Sequence, residues 1–123
     1  MKIISWNIAG GKKTKSLKRW DYETSDLDYF GGQIKKLSPD IVCLQETHSD
    51  ASSSTAKEIS EKLGMKYSYE CIMHDSHIDK GSKIGIAIIS SEPIEDIKTY
   101  MYKYPEFKLI FPDGMKANRY DNY

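Results

Sequence analysis

The apolar run Ile41-Val42-Cys43-Leu44 passes directly into Gln45-Glu46-Thr47. A run of this kind, preceded by Pro39, reads as a fully buried strand and is too short for a helix. A carboxylate closing such a strand is costly to bury uncompensated, so Glu46 must reach solvent, a partner or a cation. Ile3-Ile4-Ser5-Trp6-Asn7-Ile8-Ala9-Gly10 repeats the plan, with an apolar strand and then a polar side chain, Asn7, shortly before glycine. Two buried strands that each end in an oxygen-bearing side chain suggest a site for a hard divalent cation and a phosphoester.

The remaining pattern supplies a scaffold for these strands. Lys2 to Ile8 is expected to be a strand, and Gly10 to Thr24 a loop. Leu27, Phe30, Ile34 and Leu37 recur at helical spacing, with Ser25 or Asp26 as the cap. Gly31-Gly32 weakens that helix by about 1 kcal/mol per glycine relative to alanine, and Pro39 ends it. Thr55-Ala56-Lys57-Glu58 fits a capping box. Ala56, Ile59 and Leu63 form the inward stripe of the second helix, which Gly64 closes. Met65, Tyr67, Tyr69, Cys71 and Met73 alternate with less apolar neighbours, as a half-buried strand does. A polar loop from His74 to Ser82 leads to a further buried strand at Ile84 to Ile89. Residues 97–104 are read as an outer strand, and Phe107 to Phe111 as a short one before a Pro112-Asp113-Gly114 turn. The order predicts an α/β fold, with strands 2–8, 41–46, 65–73 and 84–90 in one sheet and both helices on one face.

Composition limits the alternatives. A chain of 123 residues suits one domain, and no apolar run reaches membrane-spanning length. The N-terminus does not resemble a signal peptide, and Cys43 and Cys71 both fall in strand-like runs, which favours buried free thiols over a disulfide. A cytoplasmic protein is expected. Eighteen basic and eighteen acidic residues cancel, so net charge names no partner. Lys12, Lys13, Lys15, Lys18 and Arg19 crowd one segment, which is either a grip for phosphates or a solvated loop blunted by Asp21, Glu23, Asp26 and Asp28. His74-Asp75-Ser76-His77 lacks zinc-site spacing and reads as surface, whereas His48 should lie near the Glu46 end of its strand.

Trp6-Asn7-Ile8-Ala9-Gly10, Leu44-Gln45-Glu46-Thr47 and the glycine-led stretch Gly81 to Ser90 together resemble the endonuclease/exonuclease/phosphatase superfamily of metal-dependent phosphoesterases. AP endonucleases of that superfamily carry an aspartate where this chain has Ala9, so the chain departs from that branch here. The resemblance implies the N-terminal half of a four-layer α/β sandwich over residues 1–123, with the second half absent. It implies that Glu46 is a magnesium ligand, with manganese as an alternative ion, and that Asn7 belongs to the metal and phosphate site. Gly85 is read as scaffold that permits close packing in a central strand. The family's later Gly-Asp-x-Asn and Ser-Asp-His segments are not in this sequence. The implied function is a nuclease-type phosphodiesterase acting by magnesium-assisted water attack, inactive as the isolated chain. The substrate is a phosphoester, with nucleic acid favoured and Lys12, Lys13 and Lys15 as phosphate contacts. The alternative is a non-catalytic half-domain that binds phosphates, docks a complementary half or self-associates.

Overall fold

The computed structural model describes residues 1–16, 22–76 and 79–100. In chain order it contains β1 (Ile3–Asn7), a 3-10 turn (Ala9–Gly11), β2 (Lys12–Thr14), β3 (Tyr22–Ser25), α1 (Leu27–Leu37), β4 (Ile41–Ser49), α2 (Thr55–Leu63), β5 (Tyr67–Asp75) and β6 (Lys83–Ser90). β1, β4, β6 and β5, in that order, form one sheet, and β2 pairs with β3 in a small ribbon. β1 and β4 are parallel, whereas β6 is antiparallel to both β4 and β5, so β5 runs in the same direction as β4. The connections β1-α1-β4 and β4-α2-β5 therefore both step the same way across the sheet. Right-handed crossovers then place both helices on one face.

The core confirms that placement. Phe30 and Ile34 of α1 and Ala56 and Ile59 of α2 pack with Val42, Leu44, Ala87 and Ile89 of the sheet. Trp6 meets Phe30 with ring centroids 4.9 Å apart. The opposite face is open: Ile3, Ile86 and Ile88 are 54%, 45% and 41% exposed. Strands expected to be buried throughout are therefore buried on one face only. Cys43 and Cys71 are free, as expected, but half-buried.

Several local expectations are corrected. The stretch after Gly11 is not all loop, because Lys12–Thr14 and Tyr22–Ser25 pair as an antiparallel ribbon. The cap of α1 is Asp26, one of the two residues expected, whose side chain accepts from the Tyr29 N–H at 3.0 Å. The cap of α2 is Ser54 and not Thr55, since the Ser54 hydroxyl accepts from the Lys57 N–H and the Thr55 hydroxyl donates to the His48 carbonyl. β5 continues through Asp75 into the expected loop. Residues 97–100 carry no strand. Residues 101–104, Phe107 to Phe111, the Pro112-Asp113-Gly114 turn, Lys18, Arg19 and His77 lie outside the described residues.

The feature that positions the site is an irregularity in β4. Val42 and Leu44 face the core, so strict alternation would send Glu46 there too. Instead the register against β6 shifts between Gln45 and Thr47, and Glu46 takes a left-handed backbone with φ 53°. Thr47 occupies the core side, fully buried opposite Gly85. β5 shifts register against the same point of β6, between Ile72 and His74. Gly85 lies between the two irregularities, and a Cβ there would lie 2.6 Å from the Cys71 carbonyl oxygen and 3.3 Å from Thr47 Oγ1.

That crowding generates a paired prediction. Gly85→Ala drives a methyl into backbone and is expected to cost about 1–3 kcal/mol in urea denaturation. Gly32→Ala adds a methyl to a helix position with nothing within 4 Å. It is expected to stabilise by about 0.5–1 kcal/mol. Equal effects of the two substitutions would contradict this packing.

Candidate functional site

Parallel pairing sets Asn7 opposite Gln45, one residue before Glu46. The ends of two neighbouring strands, about 4.8 Å apart in such a sheet, thus bring Asn7 and Glu46 to the same end of the sheet. Carboxyl ends of parallel strands are where open α/β sheets place ligands. Strained backbone flanks both positions: Ala9, two residues past Asn7, has φ 46°, and Glu46, three residues before the end of β4, has φ 53°. Asn7 Oδ1 accepts from the Ala9 N–H at 3.1 Å, and the Gly11 N–H reaches the Ile8 carbonyl at 2.8 Å. These bonds hold the turn that follows β1.

Glu46 is half-buried, and its carboxylate makes no hydrogen bond or ion pair among the described residues. No group of three or more His, Cys, Asp or Glu capable of holding a metal occurs among the described residues. What the site offers is one carboxylate and one amide oxygen. Hard oxygen donors of this type suit magnesium or manganese, and magnesium takes few protein ligands because it retains waters and shares substrate phosphates. The donor chemistry therefore fits the expected ion as part of a shell.

The lysines behave differently from one another. Lys12 Nζ lies 3.2 Å from Asp79, and Lys13 Nζ lies 2.7 Å from Asp26 and 4.0 Å from Glu23. The Asp26 hydrogen bond holds the Lys13 ammonium above the usual lysine range. Lys13 also sits 5.0 Å from the centre of the Tyr29 ring. Lys15 is exposed and forms no ion pair among the described residues.

Two residues past Glu46, a buried histidine anchors a half-buried polar array that sequence reasoning did not find. His48 is 6% exposed. Its Nδ1 lies 3.2 Å from Asp79 Oδ2 and its Nε2 lies 3.2 Å from Ser76 Oγ. Ser76 Oγ also accepts from the Asp79 N–H at 3.0 Å. Ser76 and Asp79 belong to a polar stretch that read as surface, and no spacing in the sequence linked it to His48. The one available signal was Gly10, whose missing side chain leaves room for the ring. A cavity of about 470 Å³, lined by Gly10, Asp28, His48, Glu58, Lys62 and Asp79 among others, borders this array. Neither Asn7 nor Glu46 lines it.

Burial pushes the Asp79 carboxyl up, but hydrogen bonds from Lys12 and His48 outweigh it and hold the group below the ordinary carboxylate range. A carboxyl lowered by folding contributes stability that is present above its unfolded value and lost as pH falls through the folded one. The stability gap between wild type and Asp79→Asn is thus expected to shrink on acidification below about pH 4. Urea denaturation at stepped pH measures it, and a gap that widened below that point would contradict the assignment.

Comparison with known proteins agrees with this fold. The chain is similar to an endonuclease/exonuclease/phosphatase from Beutenbergia cavernae, with a TM-score of 0.60 and 20% identity over 75% of this chain and 26% of that one. It is similar also to an endonuclease/exonuclease/phosphatase family protein from Leptotrichia buccalis, with a TM-score of 0.57 and 17% identity over 78% of this chain and 40% of that one. At these identities the resemblance is one of fold, and the chain spans well under half of either structure. No curated protein matches it. No helix among the described residues is long and apolar enough to cross a membrane. The sequence model of the endonuclease/exonuclease/phosphatase family matches residues 4–115, and the chain therefore belongs to that family.

Proposed function

We propose that this chain carries the cation-holding part of a phosphoester hydrolase, with Glu46 as the carboxylate ligand and Asn7 beside it. Family membership supports the coarser statement of a phosphoesterase and nuclease type, whose enzymes are generally dependent on a divalent metal. The observation that carries the finer reading is the left-handed backbone of Glu46 inside a central strand. An L-residue there costs about 1–2 kcal/mol. Strain of this kind concentrates at functional sites, where the surrounding structure holds it in place.

Glu46 and Asn7 would hold magnesium, or manganese in its place. When bound, the ion supplies charge stabilisation at a phosphoryl oxygen and a more acidic water. Asn7 contributes separately. Its Oδ1 is tied to the Ala9 N–H, which orients the amide and leaves the NH2 group able to donate to a phosphoryl oxygen. Water activation and leaving-group protonation have no assigned residue among those described. Hydrolysis is therefore proposed for a protein that also carries the family's later segments, with the isolated chain binding and not cutting.

Nucleic acid remains the favoured substrate, through Lys15. Lys12 and Lys13 are engaged by carboxylates, so a phosphate would have to displace Asp79, or Asp26 and Glu23, to reach them.

Binding of Mn2+ to the 123-residue chain, followed by water-proton relaxation, tests the reading without a substrate. Glu46→Gln is expected to weaken binding at least on the order of tenfold. Asn7→Ala is expected to weaken it less, because a neutral amide contributes less to a cation than a carboxylate. Equal Mn2+ affinity in wild type and Glu46→Gln would overturn the proposal.

A further inference from the structure

His48 stands two residues past Glu46, and its contacts converge on both halves of the site. A Cβ placed on Gly10 would lie 2.3 Å from His48 Nδ1 and 2.6 Å from Cε1, so the ring rests directly against the Gly10 backbone. Gly10 lies in the 3-10 turn that follows Asn7, the last residue of β1. The ring is fixed at both nitrogens, by Asp79 and by Ser76. The His48 main chain is fixed as well, since its N–H donates to Thr55 Oγ1 at 3.3 Å and its carbonyl accepts from the same hydroxyl at 2.8 Å. Asp79 then reaches across to Lys12, which follows the same turn. His48 and Asp79 thus bracket the turn from its inner and downstream sides.

We propose that His48 is a positioning residue: its ring holds the Gly10 turn and the Glu46 irregularity at a fixed separation, so that Asn7 and Glu46 present oxygens to one cation. The proposal rests on the reading of Asn7 and Glu46 given above. An apolar side chain of similar size would fill the space but could not be oriented, whereas two opposed polar partners fix both the place and the plane of an imidazole. A buried ring with both nitrogens partnered is held rigidly for this reason. The ring lies apart from the apolar cluster of Ile8, Phe30, Ile34, Val42, Leu44, Ala56, Ile59, Ala87 and Ile89 that packs the helices on the sheet. Pairing of β4 with β6 also continues on both sides of the irregularity.

Nuclear magnetic resonance of the full chain during Mn2+ titration tests this. In the wild type the Asn7 side-chain amide and the Glu46 backbone amide are expected to broaden together. In His48→Ala the required Mn2+ should rise on the order of tenfold, the scale of losses when an outer partner of a metal ligand is removed. The Asn7 signal should also cease to broaden in step with Glu46. Ile59→Val, a core change that lowers stability without touching the ring, is expected to leave the two signals in step. If His48→Ala does not fold, Asp79→Asn reads out the same effect, since it loosens the ring without removing it. Unchanged affinity and unchanged coupling in the variant that folds would overturn the positioning role. Glu46→Gln separates the two readings: if it leaves broadening intact, the metal site itself fails and this proposal with it. If Glu46→Gln abolishes broadening while His48→Ala and Asp79→Asn behave as wild type, only the role of His48 fails.

Discussion

The conflict between strand alternation and a carboxylate shapes this molecule. β4 must bury Val42 and Leu44 against two helices, and a period of two would place Glu46 in the same layer. An ion left in the core without a partner costs several kcal/mol. One left-handed residue costs about 1–2 kcal/mol. The second is the smaller cost, and the chain adopts it: Glu46 becomes the extra residue, and Thr47 takes the core position. β6 can follow only because Gly85 admits the Thr47 side chain on one flank and the Cys71 carbonyl on the other. The matching shift in β5 lets the sheet remain paired through Asp75.

The substitution leaves a residue of its own. Thr47 Oγ1 is buried and makes no hydrogen bond among the described residues. A hydroxyl in that state costs roughly 1–3 kcal/mol. The burial of Ile84 and Ile89 in the neighbouring strand offsets that loss, since each large aliphatic side chain gains about 1.5–3 kcal/mol when removed from water. Just beyond, the chain changes strategy: His48 has every polar ring atom partnered, as does its main chain. An orphaned hydroxyl and a saturated imidazole stand one residue apart, and it is the saturated one that faces the turn following Asn7.

Much of the framework was legible because local signals agreed with one another. The stripe of Leu27, Phe30 and Ile34, the Gly64 cap with φ 70° and the presence of a strand after Met65 each followed from a period or a backbone rule, although that strand does not bury alternate residues. The pairing of Asn7 with the Glu46 end of β4 followed from two short strands joined by one helix, which leaves parallel neighbours as the simplest arrangement. The rest was hidden for physical reasons. A bulge has no sequence signature when its left-handed residue is glutamate and not glycine. The Thr55 hydroxyl was assigned to a cap because the capping pattern is local, while its true partner, His48, is a long-range one. Ser76 and Asp79 looked like surface because polarity marks a loop equally well whether it faces water or wraps a buried histidine. The basic segment gave its charge but not its pairing, which depends on where the ribbon folds Lys13 relative to Asp26.

Charge bookkeeping around the two strand ends favours a cation that arrives with its phosphate. Lys12 and Lys13 are engaged by carboxylates, so neither neutralises Glu46 directly among the described contacts. One carboxylate and one neutral amide make a weak site for a magnesium ion, which gives up its hydration reluctantly. A phosphate oxygen adds both a ligand and a negative charge, and by linkage each raises the affinity of the other by the same factor. The separation between Asn7 and Glu46 then matters more than the affinity of either alone, because the amide must reach the phosphate while the carboxylate holds the ion. That requirement explains why so much structure converges on a turn and a bulge: two of the left-handed non-glycine residues, Ala9 and Glu46, lie in these segments, and the ring of His48, from the strand that carries Glu46, packs against Gly10 beside Ala9.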